Sequence, residues 1–199
     1  MGVRELNVSK DLIIGSTGIA DVAESVGRFL SRRGIEGDLN AWLATPDVVT
    51  ELCFLNGASV MMLLRHALEL EGWTNEREGC AAGEDGRVKA RNLPWWDDSI
   101  WLPLEFDKPG TLEDRSTFFV GSCQQLIVEL EEMRHTSSLR LGEVVPEYTD
   151  MRTDFLNFVR SNPDLALSDD DTIRWMWRAL RDGAELAISQ NTVLWACPD

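Results

Sequence analysis

Apolar residues in this chain recur in two rhythms. About six segments repeat them every third or fourth residue, the spacing of a helix that buries one face, and a few shorter runs are continuous or alternate every second residue, as strands do. The two rhythms do not alternate regularly, which disfavours a doubly wound parallel sheet. The expected fold class is α+β: a single domain over 1–199, with about six helices packed on a small mixed or antiparallel sheet. A chain of 199 residues is long enough to bury a core without disulfide or metal staples.

The stripes locate the elements. The run from Asp11 to Ile14 ends at Gly15-Ser16-Thr17-Gly18, after which Ile19, Val22, Ala23, Val26, Phe29 and Leu30 fall on one helical face. Gly34 supplies the stop for that helix. Thr45 followed by Pro46 and Asp47 reads as the start of a second helix through Cys53, broken at Asn56-Gly57. Ser59 to Glu71, rich in Met and Leu, reads as a buried helix. Thr74 to Asn92 shows neither rhythm and carries glycines among charges, so a mobile loop is expected there. Leu102, Leu104 and Phe106 alternate with Pro103, Glu105 and Asp107, predicting a strand that Pro103 assigns to an edge. A hairpin through Lys108 to Arg115 would join it to a strand at Thr117 to Val120. Ser122 and Gln125 have capping-box spacing ahead of a stripe at Leu126, Ile127, Leu130 and Met133. Tyr148 to Val159 predicts another helix. The last helix opens at Ser168 with Asp169, Asp170 and Asp171 in its first turn, carries Ile173, Trp177, Leu180, Ala184 and Ala187, and gives way to a strand over Thr192 to Ala196.

Composition bounds the function classes. The chain has 19 basic and 34 acidic residues, a formal net charge of −15, with the excess spread over both halves. Such a field repels nucleic-acid phosphates and anionic lipid and attracts basic protein surfaces. No nucleic acid and no membrane are therefore expected as partners, and a basic protein is. Apolar stretches are interrupted well before the roughly 18 residues of a spanning helix, and Arg4, Glu5, Lys10 and Asp11 break any signal-like centre near the start. The expected address is the cytoplasm. Cys53, Cys80, Cys123 and Cys197 form no C-x-x-C pair and read as reduced thiols.

Two clusters are candidate sites. Gly15, Ser16, Thr17 and Gly18 lie between a strand and a helix, where exposed N–H groups can cradle phosphate. The dinucleotide fingerprint needs glycine at three positions, here Gly15, Thr17 and Ala20, so an ordinary capped turn is the competing reading. Trp95, Trp96, Asp97, Asp98 and Trp101 combine flat aromatic faces with carboxylates and could hold a cation or stack on a sugar. Against this, the chain contains 8 tryptophans, and large aromatics beside an apolar strand usually pack a core. Asp169 to Asp171 lack a calcium-loop pattern, so no metal is expected, and no cofactor either. His66 and His135 stand far apart, and no hydrolase signature is present.

The sequence thus leans towards a molecule without catalysis: an acidic interaction protein, such as an inhibitor or immunity-type partner of a basic protein. The alternative is an enzyme or small-molecule binder using the Gly15–Gly18 turn or the Trp95–Trp101 cluster.

Overall fold

A computed structural model describes residues 9–14, 17–44, 54–70, 91–93, 98–115, 118–143 and 169–198. Six strands form one mixed sheet: β1 (Ser9–Ile14), β2 (Phe54–Asn56), β3 (Asp98–Leu102), β4 (Gly110–Thr111), β5 (Phe118–Ser122) and β6 (Leu194–Pro198), in the order β2-β1-β6-β3-β5-β4. Only β3 and β5 pair in parallel, with Asp98 opposite Phe118 and Leu102 opposite Ser122; the other neighbours are antiparallel. The short apolar run at the end of the described chain is therefore the middle of the sheet, with Leu12 opposite Ala196 on one side and Ile100 opposite Trp195 on the other.

Because successive strand residues point to opposite faces, β3, β5 and β6 each feed two cores. Ile100, Leu102, Phe118, Val120 and Val193 pack under α1 (Thr17–Ala20), α2 (Ala23–Arg32) and α3 (Leu39–Ala44), joined by Ile19, Val26, Leu30 and Trp42. Trp101, Phe119, Leu194 and Ala196 pack against α4 (Gly57–Glu69), α5 (Cys123–Thr136) and α6 (Asp169–Ser189), which contribute Leu63, Leu126, Leu130, Met176 and Leu180 among others. With both faces covered, these strands read as continuous apolar runs.

Local signals set the helix ends. The stripe from Ile19 to Leu30 is buried at Ile19, Val22, Val26, Phe29 and Leu30 and half-buried at Ala23, with a slight break between α1 and α2 bridged by the Val22 and Val26 N–H bonds to Ile19 and Val22 carbonyls. Gly34, at φ +65°, ends α2 in a Schellman motif: its N–H reaches the Ser31 carbonyl at 3.1 Å and that of Ile35 the Leu30 carbonyl at 3.1 Å. Ser122 caps α5 by accepting the Gln125 N–H at 3.1 Å. Asn191, at φ +48°, turns the chain out of α6 and into β6, with the Thr192 N–H bonded to the Ala187 carbonyl. The predicted stripe of α6 is buried at Ile173, Trp177, Leu180, Ala184 and Ala187.

Three expectations change. The strand predicted from Leu102 ends there instead: β3 is Asp98–Leu102, and it is central, between β6 and β5. Pro103 has no N–H to continue the ladder, and the Leu104 carbonyl is taken by the Ser122 hydroxyl at 2.6 Å. The alternation survives only in part: Phe106 is buried and Glu105 and Asp107 are exposed, but Pro103 is buried as well and Leu104 is half-buried. The hairpin exists, but it joins β4 to β5, with Thr111 opposite Phe119, while β3 runs parallel to β5. Asn56-Gly57 is a β2–α4 junction, since α4 starts at Gly57. The helices predicted from Thr45 and over Tyr148 to Val159, and all of the 74–92 loop but its last two residues, lie outside the described residues. No described helix is long and apolar enough to cross a membrane.

Candidate functional site

The two clusters singled out in the sequence meet different settings. Thr17 and Gly18 open α1, directly after β1, while Gly15 and Ser16 lie outside the described residues. β1 pairs antiparallel with both its neighbours, so β1 and α1 do not open a parallel βαβ unit. Trp101 is fully buried in β3, edge-on to Phe119 with ring centroids 6.2 Å apart, and its indole N–H donates to the Asn92 carbonyl at 2.8 Å. Asp98 is half-buried at the start of β3; Trp95, Trp96 and Asp97 lie outside the described residues. Trp101 thus belongs to the core rather than to a surface.

What the fold does bring together is a set of carboxylates on two loops. The loop after α2 buries part of Ile35, and the loop after β3 buries Phe106, which meets Phe29 edge-on at 6.2 Å. The loops touch: a β-carbon on Gly37 would lie 3.1 Å from a Leu104 methyl. With the apolar residues turned inwards, Glu36, Asp38, Glu105 and Asp107 are all exposed. Asp38 also caps α3, accepting the Ala41 N–H at 3.0 Å. Glu36, Glu105 and Asp107 enter none of the ion pairs among the described residues. The nearby arginines of α2 are spent instead on the β4–β5 hairpin: Arg28 on Asp114 at 3.1 Å, and Arg32 on Glu113. On this side of the molecule, two arginines are paired internally while four carboxylates stay exposed, with Lys108 and Arg33 exposed beside them.

A buried polar node was missed by sequence reasoning. Glu129 on α5 is buried beneath the segment 91–93 and accepts the backbone N–H of Arg91 at 3.1 Å and of Asn92 at 2.8 Å, plus the Asn92 side-chain amide at 2.9 Å. Asn92 in turn accepts the Ser122 N–H through its Oδ1 at 2.9 Å. A β-carbon on Gly121 would fall 2.6 Å from Trp101 and 3.0 Å from Asn92 Oδ1, so only glycine fits there without a shift. Burial pushes the Glu129 carboxyl up to about 8, and the hydrogen bonds from Asn92 and Arg91 pull the other way without cancelling it. The signal was present: Glu129 falls three residues after Leu126 and four before Met133, inside an apolar stripe. Cys123, at the start of the same helix, is a buried free thiol whose Sγ lies 3.4 Å from the Trp101 carbonyl; burial raises its pKa and leaves it unreactive.

Of the two histidines, His135 is exposed at the end of α5, whereas His66 on α4 places Nε2 at 2.6 Å from the hydroxyl of Ser137, the C-cap of α5. That hydroxyl already accepts the Leu139 N–H, so its own proton can be given to the imidazole. Burial lowers the His66 pKa, opposed by Glu69 and Asp170. The pair ties α4 to α5 as a helix-end contact. Among the described residues no group of three or more His, Cys, Asp or Glu could hold a metal ion.

Compared with protein-family models, with curated proteins and with solved structures, the chain matches none at a significant level.

Proposed function

We propose that this protein is a non-catalytic cytoplasmic binding protein that captures a basic protein surface, in the manner of an inhibitor or immunity-type partner. The observation that carries this reading is the pair of touching loops that presents Glu36, Asp38, Glu105 and Asp107 outwards. A net charge of −15 extends that patch into a field that steers a basic partner and turns away nucleic acid and anionic lipid. The loops rest on buried residues and Asp38 is committed to a helix cap, so the patch is held in place before a partner arrives.

The test compares the wild-type chain with the neutralised variant E36Q/D38N/E105Q/D107N, in which asparagine keeps the α3 cap. Basic proteins retained by the immobilised wild type are identified and their association rates followed by surface plasmon resonance. Rates should fall steeply as salt rises and drop by about tenfold in the variant. Retention of the same proteins at the same rate by both chains would refute the reading, as would a wild type that retains none.

A further inference from the structure

We infer that a basin between α5 and α6 is a binding site for a small oxyanion, a phosphoryl or carboxylate group of a metabolite, gripped by Arg134 and Arg178. The basin has a volume of about 330 Å³, and three guanidinium groups and two carboxylates line it beside Trp177 and Gly142. That volume suits a small ligand. In a molecule of net charge −15, this lining carries a net charge of only +1, so any grip on an anion is local.

The ion pairs divide the three arginines by role. Glu131 spreads its two oxygens between the Nε of Arg181 at 2.6 Å and the Nε of Arg134 at 2.7 Å. Arg181 also spends its terminal nitrogens, on Glu185 at 2.8 Å and Asp182 at 3.7 Å, so it serves as a strut. Arg134 and Arg178 are tied only by Nε, the latter to Asp182 at 3.3 Å. Their terminal amino groups make no hydrogen bond or ion pair with any described residue. The end of a guanidinium that carries two amino groups is one of the edges that takes an oxyanion in bidentate fashion. Here two such ends are held in place by carboxylates behind them, which reduces the ordering cost of binding.

The floor is shaped to leave room. Gly142, at φ +90°, lies so close that a β-carbon would come within 3.3 Å of the Trp177 ring and 3.4 Å of Arg134 Cδ. Trp177 itself is immobilised by its indole N–H, which donates to the Leu130 carbonyl at 2.6 Å. Because the long-range field opposes any anion, affinity has to come from these contacts. The inference is independent of the protein-partner reading, which concerns other loops.

The experiment is isothermal titration of the full chain with sodium pyrophosphate and, separately, sodium citrate, at ionic strength fixed by sodium chloride. Saturable binding is expected with at least one, the tighter of the two identifying a phosphoryl or a carboxylate ligand. R134Q/R178Q should weaken it by roughly tenfold or more, while R140Q, an arginine outside the basin, should not change it. Phenylglyoxal footprinting of the wild type needs no variant: the bound anion should protect Arg134 and Arg178 but not Arg140. Absence of saturable binding to both anions, undiminished affinity in the double variant, or equal protection of all three arginines would overturn the inference.

Discussion

Glu129 and Glu131 stand two residues apart on α5 and live in opposite electrostatic worlds. Glu129 faces the core, where its partners are backbone N–H groups and one neutral amide, and its carboxyl is raised to about 8. Glu131 faces the basin. Partial burial would raise its pKa too, but hydrogen bonds and charge from Arg181 and Arg134 outweigh it and hold the carboxyl below its usual range. The same group on the same helix thus has its pKa raised or lowered by what lies across from it, and the deciding quantity is whether a full positive charge is within reach.

The largest effect should come from deleting the Glu129 carboxyl. Glu129→Ala leaves the buried N–H and side-chain amide of Asn92 and the part-buried N–H of Arg91 without this acceptor, and should lower stability in urea by roughly 3 kcal/mol; a loss below about 1 kcal/mol would mean that the segment 91–93 is not held by this carboxyl.

Next comes pH. A carboxyl whose folded pKa lies above its unfolded value binds more protons in the native state, so its contribution is complete below the unfolded value and is lost as pH rises towards about 8. Unfolding free energies from urea denaturation should therefore fall between about pH 5 and pH 8, by at most about 1.4 kcal/mol per unit, and Glu129→Gln should flatten the slope. An unchanged slope in that variant would put the titrating group elsewhere. Glu131, with its lowered pKa, has the opposite sign: its contribution is present above the unfolded value and fades as the solution is acidified.

The smallest effects lie on the ion pairs. A double-mutant cycle between Glu131→Gln and Arg181→Met should give a coupling of about 1 kcal/mol, since both side chains are mostly shielded from solvent. The same cycle between Arg140 and Glu143, which are 75% and 64% exposed, should give about 0.3 kcal/mol or less. Equal couplings would show that burial adds nothing to the Glu131 pair.

Legibility differed with the range of the interactions. Local devices were readable: the Ile19–Leu30 stripe, the Gly34 stop, the Ser122 cap and the return of the chain after Asn191 all depend on residues within about a turn of each other. The alternation held for Glu105, Phe106 and Asp107 but not for Pro103, which is buried, and it did not predict the ladder, because whether an extended segment pairs depends on a neighbour far along the chain. The candidate surface was half legible. An excess of carboxylates is visible in composition, but nothing local says that the loop at 34–38 touches the one at 103–108.

Taken by itself, the sequence determined where most helices of the described chain lie and where several end, that strands and helices would mix, and that the outside would be negative. These follow from periodicity, caps and counted charges, which act over a few residues or over the whole surface. Tertiary structure alone decided that β6 runs through the middle of the sheet, that Trp101 is core, that Glu129 is sealed under Asn92, and that Arg134 and Arg178 share a basin. Each of those depends on desolvation and on partners brought in from tens of residues away, and neither quantity exists until the chain has folded.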